Sequence, residues 1–118
     1  MDIIADAAAA LAEISEEGMS VAQGWYDESL HETHITLWKL RGYEAGHADD
    51  ECDVEAGEIQ VNIWSTQDQQ ALKARVKRLM KAGGFMFTED NDQAEPDTGV
   101  FTNAMRFLKV QENDETEE

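Results

Sequence analysis

The sequence predicts a single α+β domain over residues 1–110, in which a four-stranded mixed or antiparallel sheet carries two helices packed on one face. Three observations lead to this prediction. The chain has 118 residues, which suits one domain of two packed layers. Two segments repeat apolar residues at helical spacing, whereas four other segments place them as strands do. These segments follow one another as helix, strand, strand, helix, strand, strand.

The first helix is predicted over residues 2–17. Apolar residues recur there at helical spacing: Ile3, Ala7, Leu11 and Ile14. Asp2 can cap the beginning of this helix, and Gly18 can end it. Residues 19–32 show no regular pattern and are predicted to be irregular.

The first two strands are predicted over residues 34–41 and 58–65. Strand one has apolar residues on both faces, which is typical of a central strand or of one that meets another subunit. Strand two directs every second residue toward the core: Ile59, Val61 and Ile63. Its opposite face is polar except for Trp64. That tryptophan is therefore either a contact residue or a side chain covered by the protein's own loops.

The second helix is the clearest predicted element. Ser65 or Thr66 can cap its start, and Asp68 or Gln69 can complete a capping box. Its apolar stripe is formed by four residues: Leu72, Val76, Leu79 and Met80. The remaining arc carries five of the nine basic residues: Lys73, Arg75, Lys77, Arg78 and Lys81. The pair Gly83-Gly84 is predicted to end the helix in a left-handed conformation.

Strands three and four are predicted over residues 85–88 and 100–110, with an acidic loop at 89–99 between them. A second acidic connection occupies residues 42–57. Residues 111–118 are predicted to be a flexible acidic tail, since they contain almost no apolar side chain. The sheet face away from the helices is partly apolar, and such a surface usually binds a partner.

The charge of the chain is its unusual bulk property. Nine basic residues face 26 acidic ones, for a formal net charge of -17. Nucleic-acid binding is not expected, because it depends on neutralisation of phosphates by Lys and Arg. The charge either keeps the protein soluble or repels DNA from a surface that DNA must pass.

The residue types that carry chemistry are scattered. His31 and His34 lie at the entry to a strand, where their side chains diverge. Cys52, the single cysteine, lies among carboxylates that disfavour its thiolate and cannot form an intramolecular disulfide. The segment Asp90-Asn91-Asp92 lacks the glycine and closing glutamate of a calcium loop. We therefore predict no enzymatic activity, no cofactor and no metal site.

The sequence also predicts no contact with a membrane. No apolar run approaches the roughly 20 residues that a membrane-spanning helix needs. The first residues are acidic where a secretory signal is basic. We expect the protein to be made and folded in the cytoplasm.

Opposite charges are segregated along the chain, with acid at residues 49–58 and 89–97 and base at 73–81. The basic arc is either a solvated helix face or a docking surface for the acidic loops of an identical neighbour. The second arrangement is a head-to-tail contact, which can close into a ring. The candidate interface residues are Asp49, Asp50, Glu51, Trp64, Lys73, Lys77, Arg78, Lys81 and Arg106.

Four segments in the middle of the chain form a pattern. They are Ala48-Asp49-Asp50-Glu51, the strand Ile59-Gln60-Val61-Asn62-Ile63-Trp64-Ser65, the helix exit from Lys77 to Gly84 into Phe85, and Ala104-Met105-Arg106-Phe107. Over about residues 34–110 this pattern resembles the tail terminator, or tail completion, proteins of long-tailed bacteriophages. In that family the strand often reads Ile-Gln-Val-Asp-Ile-Trp-Ser, and Asn62 here replaces the acid.

The resemblance implies a structural protein of the virion, assembled in the host cytoplasm as a ring, commonly a homo-hexamer. The ring would cap the head-proximal end of the tail tube, end the polymerisation of the tail tube protein and bind the head-completion proteins of the neck. Genomic DNA would pass through its lumen without specific binding. The alternative is an acidic DNA mimic that inhibits a host DNA-binding protein, although the acids here lie mainly in predicted loops and the tail.

Overall fold

The computed structural model describes residues 2–24, 32–45, 52–67, 69–95 and 99–114, and within them the protein is an α+β fold with a five-stranded mixed sheet. The elements are α1 (Ile3–Ala10), α2 (Ala12–Glu16), β1 (Val21–Gln23), β2 (His34–Ala45), β3 (Cys52–Ser65), α3 (Gln70–Ala82), β4 (Met86–Glu95) and β5 (Val100–Asp114). The α+β class is as predicted. The structure adds one strand, and the first predicted helix is divided into two.

The strands lie in the order β1-β2-β3-β5-β4. β1 pairs with β2 in parallel, and the three other ladders are antiparallel. The helices pack on one face of the sheet, which we call the inner face, and the opposite face is the outer face. The core lies between the helices and the inner face, where Ile35, Ile59 and Phe107 are fully buried.

The N-terminal helices confirm the predicted apolar stripe. Asp2 caps α1, since its side chain accepts a hydrogen bond of 3.1 Å from the backbone N–H of Ala5. The four predicted core residues are all buried: Ile3, Ala7, Leu11 and Ile14. Gly18 follows α2 with a φ of 106°, a conformation in which glycine avoids the steric cost of a Cβ.

The prediction that residues 19–32 are irregular is wrong at Val21–Gln23, which form β1 against Ile35–Leu37 of β2. A three-residue strand is too short to show a period of two, and its parallel pairing depends on residues farther along the chain. The backbone of Ile35 donates to Ser20 O at 2.9 Å and that of Gly24 donates to Leu37 O at 3.1 Å.

The main helix, α3, begins later than predicted. Its N-cap is Gln69, which makes no side-chain capping hydrogen bond, so the predicted capping box is not formed by that residue; Asp68 lies outside the described residues. The hydroxyl of Ser65 instead accepts a hydrogen bond of 3.0 Å from the backbone of Gln67 and holds the turn before the helix. The predicted stripe is confirmed, because Leu72, Val76 and Met80 are buried.

The exit of α3 lies close against α1. Gly84 has a φ of 96°, which confirms the predicted left-handed end. At Gly83 a Cβ would lie 2.8 Å from the Cβ of Ala10, shorter than a normal contact between two carbons. The glycine pair thus ends the helix and lets it approach α1.

The four longer strands extend into segments predicted as acidic loops or tail. β2 continues to Ala45, β3 begins at Cys52, and β4 runs to Glu95, so the loops predicted at 42–57 and 89–99 are partly strand. β5 ends at Asp114, inside the predicted tail, and residues 115–118 lie outside the described residues. Charged residues in strands exposed to solvent show no apolar alternation, which is why the pattern hides these extensions.

These extensions form a three-stranded projection, which we call the β-arm. It comprises Arg41–Ala45, Cys52–Glu58 and Leu108–Asp114, joined by the ladders of β2 and β5 with β3. β3 has 14 residues, a length of about 45 Å at the usual rise of a strand. Those residues of the arm whose side chains are described lie outside the buried apolar cluster.

Candidate subunit interface

Trp64 lies on the outer face and is held by its own subunit. Its indole N–H donates a hydrogen bond of 2.8 Å to the hydroxyl of Thr36. Its ring stacks on His34, with the ring centroids 6.4 Å apart and the planes 16° from parallel. Trp64 is half-buried. Contacts within the subunit therefore cover much of the Trp64 side chain, and only its remaining surface is available to a partner.

A line of polar side chains continues from Trp64 across the outer face. The amide of Asn62 donates to Thr36 Oγ1 at 3.3 Å, and Gln60 donates to Asn62 Oδ1 at 2.9 Å. Arg106 then donates through Nε to Gln60 Oε1 at 3.1 Å. Asn62 is 1% exposed, so these partners are needed to satisfy its polar atoms.

Arg106 ends this line at the middle of the outer face. Its Nη1 lies 3.2 Å from Glu89 Oε2 of β4, and 48% of its side chain is exposed. It therefore presents a partly neutralised cation to solvent. Around it lie three of the large apolar residues that are most exposed in the described chain: Trp38 at 37%, Met86 at 52% and Val110 at 48%.

Two of the candidate lysines on α3 are engaged within the subunit. Lys73 Nζ lies 3.2 Å from Asp92 Oδ1, and only 14% of its side chain is exposed. Lys77 Nζ lies 4.0 Å from the centroid of the Phe87 ring, which is cation–π geometry. Both residues hold α3 against β4, so their charges are less available to a neighbouring subunit.

Arg75 is also occupied, by the N-terminal helices. Its Nη2 lies 2.7 Å from Glu13 Oε2 and 2.6 Å from Glu17 Oε2. The hydrogen bond from Arg75 lowers the pKa of Glu17, and the two carboxylates raise the pKa of Arg75. No local pattern reveals this contact, because Arg75 and its partners are far apart in the sequence.

This clamp makes a pH-dependent contribution to stability. Because the pKa of Glu17 is lower in the folded state, its contribution is present above the unfolded value of about 4.5 and is lost as pH falls through the folded pKa. We expect Glu17→Gln to be less stable than wild type at neutral pH and the difference to shrink in acid, measured by urea unfolding. Glu16→Gln is the control, since Glu16 is exposed and makes no ion pair within the described chain. A difference that stays constant into acid would contradict this assignment.

Arg78 and Lys81 are the candidate residues that face solvent. Both side chains are exposed, and within the described ranges neither forms an ion pair. They lie toward the C-terminal end of α3, where the helix dipole favours cations. Of the five basic residues on the arc, these two are therefore the ones available to a partner. The acidic candidates Asp49, Asp50 and Glu51 lie outside the described residues.

Asn103 is a polar site that the sequence analysis did not single out. It is 5% exposed and donates through Nδ2 to Asp92 Oδ1 at 2.7 Å and to Asp90 Oδ2 at 3.3 Å. The hydrogen bond from Asn103 to Asp92 is the main reason that the pKa of Asp92 is lowered, and the neighbouring Lys73 lowers this pKa further. Among the described residues, Asn103 Oδ1 is the one buried side-chain atom without a partner.

No three His, Cys, Asp or Glu side chains in the part of the chain that the structure describes come close enough to hold a metal ion. No helix in these ranges is long and apolar enough to cross a membrane.

Comparison with known proteins finds a similar fold among solved structures. The chain matches no protein-family profile and no curated protein. Among solved structures, a similar fold occurs in a chain from the virion of a native gene transfer agent (GTA) particle. The two align with a TM-score of 0.51 and 14% sequence identity, over 91% of this chain and 84% of that chain. At this identity the match establishes a shared fold over nearly the whole of both chains.

Proposed function

We propose that this protein is a structural virion subunit that forms a homo-hexameric ring at the head-proximal end of a phage tail tube. In this role it ends tube polymerisation and joins the tail to the neck proteins of the head. The observation that carries the proposal is the shared fold with a chain of a virion particle. The resemblance of residues 34–110 to tail terminators supports the finer assignment.

Two of the segments that carry the resemblance are neighbours in the sheet. The strand segment of β3 pairs with the β5 segment, so that Ile59 lies opposite Phe107 and Gln60 opposite Arg106. One face of this pair is core and the other belongs to the polar line of the outer face. Segments that are distant in sequence thus form one local structure, which is expected if their pattern belongs to one fold.

The charge distribution supports a head-to-tail contact. Arg78 and Lys81 are exposed on a chain whose net charge is -17. Each further copy of the chain therefore offers acidic residues with which they could pair. The acids Asp49, Asp50 and Glu51 stand in the sequence between the ends of β2 and β3 and are the proposed partners. An acidic ring would also repel passing DNA. We propose no catalytic activity and no cofactor.

Sizing and imaging test this function directly. Sedimentation of the purified protein is expected to show a ring-sized species, and electron microscopy of particles is expected to show it between head and tail. A protein that stays monomeric at high concentration and is absent from purified virions would rule out the proposal. Tight binding to a host DNA-handling protein with no ring would favour the DNA-mimic alternative.

The contact itself is tested by Arg78→Gln with Lys81→Gln. We expect this double variant to weaken ring assembly by about tenfold, because two exposed charge pairs together contribute roughly 1–1.5 kcal/mol. Its melting temperature should stay close to that of wild type, since both side chains are exposed. Sedimentation over a concentration series measures the effect.

A matched control changes the net charge equally elsewhere on α3. Ala71→Glu with Ala74→Glu also lowers the net charge by two, at two exposed positions with the same spacing. We expect this control to assemble like wild type. Equal weakening in both variants would mean that overall repulsion is responsible and that Arg78 and Lys81 make no specific contact.

A further inference from the structure

The β-arm projects from the body of the subunit and has two different faces. Its β3 segment, Cys52–Glu58, has a length of about 20 Å at the usual rise of a strand. Gln60 and Arg106 pair on the outer face of the sheet, just before the arm begins. Every second residue from this pair toward the arm lies on the same face, and this brings Ala56 and Val110 side by side there.

The outer face of the β-arm is largely apolar. Pairing of β3 with β5 gathers four apolar residues on it: Val54, Ala56, Leu108 and Val110. Val110 is 48% exposed, and Val54 and Leu108 are half-buried. The apolar surface continues onto the body of the subunit through Met86, which pairs with Leu108 and is 52% exposed. The helices and the core lie on the opposite face of the sheet, so the subunit's own helices do not cover these side chains.

The β-arm is also strongly acidic. Residues 41–58 and 108–114, which are the arm and the segment that joins β2 to β3, contain nine acidic and two basic residues. Asp49, Asp50 and Glu51 belong to that joining segment. An acidic element with an apolar face is suited to a partner that offers apolar surface beside positive charge.

The C-terminal end of α3 offers this combination. Arg78 and Lys81 are exposed there, and no described carboxylate pairs with either. α1 approaches α3 closely at this end. Ala9 and Ala82 adjoin the close approach, and both are exposed. Their small side chains beside two cations leave a shallow surface on which a strand can lie close.

We propose that the β-arm of one copy packs with its outer face on the C-terminal end of α3, and on the adjoining part of α1, in a second copy. This inference rests on the proposed ring and extends the contact from the acidic joining segment to the apolar face of the arm. Val54 and Val110 lie on the exposed alanines of the second copy, while the acids at the end of the arm pair with its two exposed cations.

Charge complementarity favours a second copy as the partner. The chain has a net charge of -17, so most of its surface repels the arm, whereas Arg78 and Lys81 stand one helical turn apart and attract it. Within one subunit the outer face points away from α3, so the contact needs another molecule. Since the two surfaces differ, the contact is heterologous, and repetition with a constant rotation can close a ring.

Substitution on the arm tests the apolar part of the contact. Val54→Thr with Val110→Thr keeps the branched shape and the strand preference of both residues but makes them polar. We expect ring assembly to weaken by at least about tenfold in sedimentation, with a melting temperature close to that of wild type. Gln111→Thr is the control, since Gln111 is exposed on the inner face of the same strand. This control should assemble like wild type.

A mixture of two variants tests the direction of the contact. Variant one, Val54→Glu with Val110→Glu, has a damaged arm and an intact helical surface. Variant two, Arg78→Glu with Lys81→Glu, has an intact arm and a damaged helical surface. We expect each variant alone to stay monomeric. Their equimolar mixture should form a one-to-one pair that grows no further, because one contact is intact and the two remaining surfaces are damaged. Native mass spectrometry measures the species.

The one-to-one pair also shows that the intact surface of each variant is folded. Assembly of both arm variants at wild-type strength, or equal weakening by Gln111→Thr, would overturn the docking of the arm. A mixture that forms no pair, although both variants melt like wild type, would overturn it as well. If wild type forms a ring in those experiments, the proposed function survives that failure. If wild type is monomeric and absent from virions, the proposed function and the docking of the arm both fall.

Discussion

Replacing Phe107 by alanine is expected to lower the free energy of unfolding by about 3–5 kcal/mol. Phe107 is fully buried at the centre of the inner face. Its ring meets Phe85 edge-on, at 6.3 Å between centroids and 78° between planes, and meets Phe87 at 5.7 Å and 67°. Truncation removes both aromatic contacts and leaves a cavity beneath α3. Since domains of this size are stable by about 5–15 kcal/mol, the variant should be marginal.

Phe101→Ala is the matched control, since Phe101 lies on the same strand with 43% of its surface exposed. We expect that change to cost less than about 1 kcal/mol. Urea unfolding followed by tryptophan fluorescence measures both variants. Similar losses in the two would mean that Phe107 is not a central residue of the core.

Thr36→Val is expected to cost about 2–4 kcal/mol, because it removes one acceptor that serves two donors. The Thr36 hydroxyl accepts from Trp64 Nε1 at 2.8 Å and from Asn62 Nδ2 at 3.3 Å. Valine has nearly the same shape, so packing is kept while both N–H groups lose that partner. Asn62 is too deeply buried for water to replace the hydroxyl easily.

The control for this change is Thr102→Val on the same face, where the threonine is half-buried. Its hydroxyl accepts no hydrogen bond from the donors around Thr36, and we expect a change below about 1 kcal/mol. Urea unfolding gives the stability, and the fluorescence maximum of the folded state reports on Trp64. If Thr36→Val leaves both quantities at their wild-type values, the hydroxyl is not the acceptor that holds the tryptophan.

Buried elements could be predicted from the sequence because burial imposes a period on apolar residues. The stripes of α1 and α3 and the alternation of β3 around Ile59, Val61 and Ile63 all have this origin. β1 and the β-arm could not be predicted, because short or solvated strands leave no such period. Their pairing is decided by neighbours distant in sequence, as with Val21 and Ile35.

The basic residues of α3 could be read from the sequence, but their partners within the subunit could not. The pattern places basic residues on α3, yet it cannot say which of them already has a partner. Lys73 and Lys77 are held by Asp92 and Phe87, and these contacts depend on the packing of α3 beside β4. Arg78 and Lys81 are exposed, and neither forms an ion pair within the described residues.

The β-arm is expected to exchange its amide hydrogens faster than the core of the protein does. Its backbone hydrogen bonds are formed, but those of its residues whose side chains are described lie outside the buried apolar cluster. Such a segment opens locally at a lower free energy than the core does, so its amide hydrogens exchange with solvent first. A neighbouring subunit bound along the β-arm would slow exchange in the arm and leave exchange in the core unchanged. Deuterium uptake at Arg41–Ala45 would then report on assembly, and uptake at Ile59–Ile63 would serve as the constant reference.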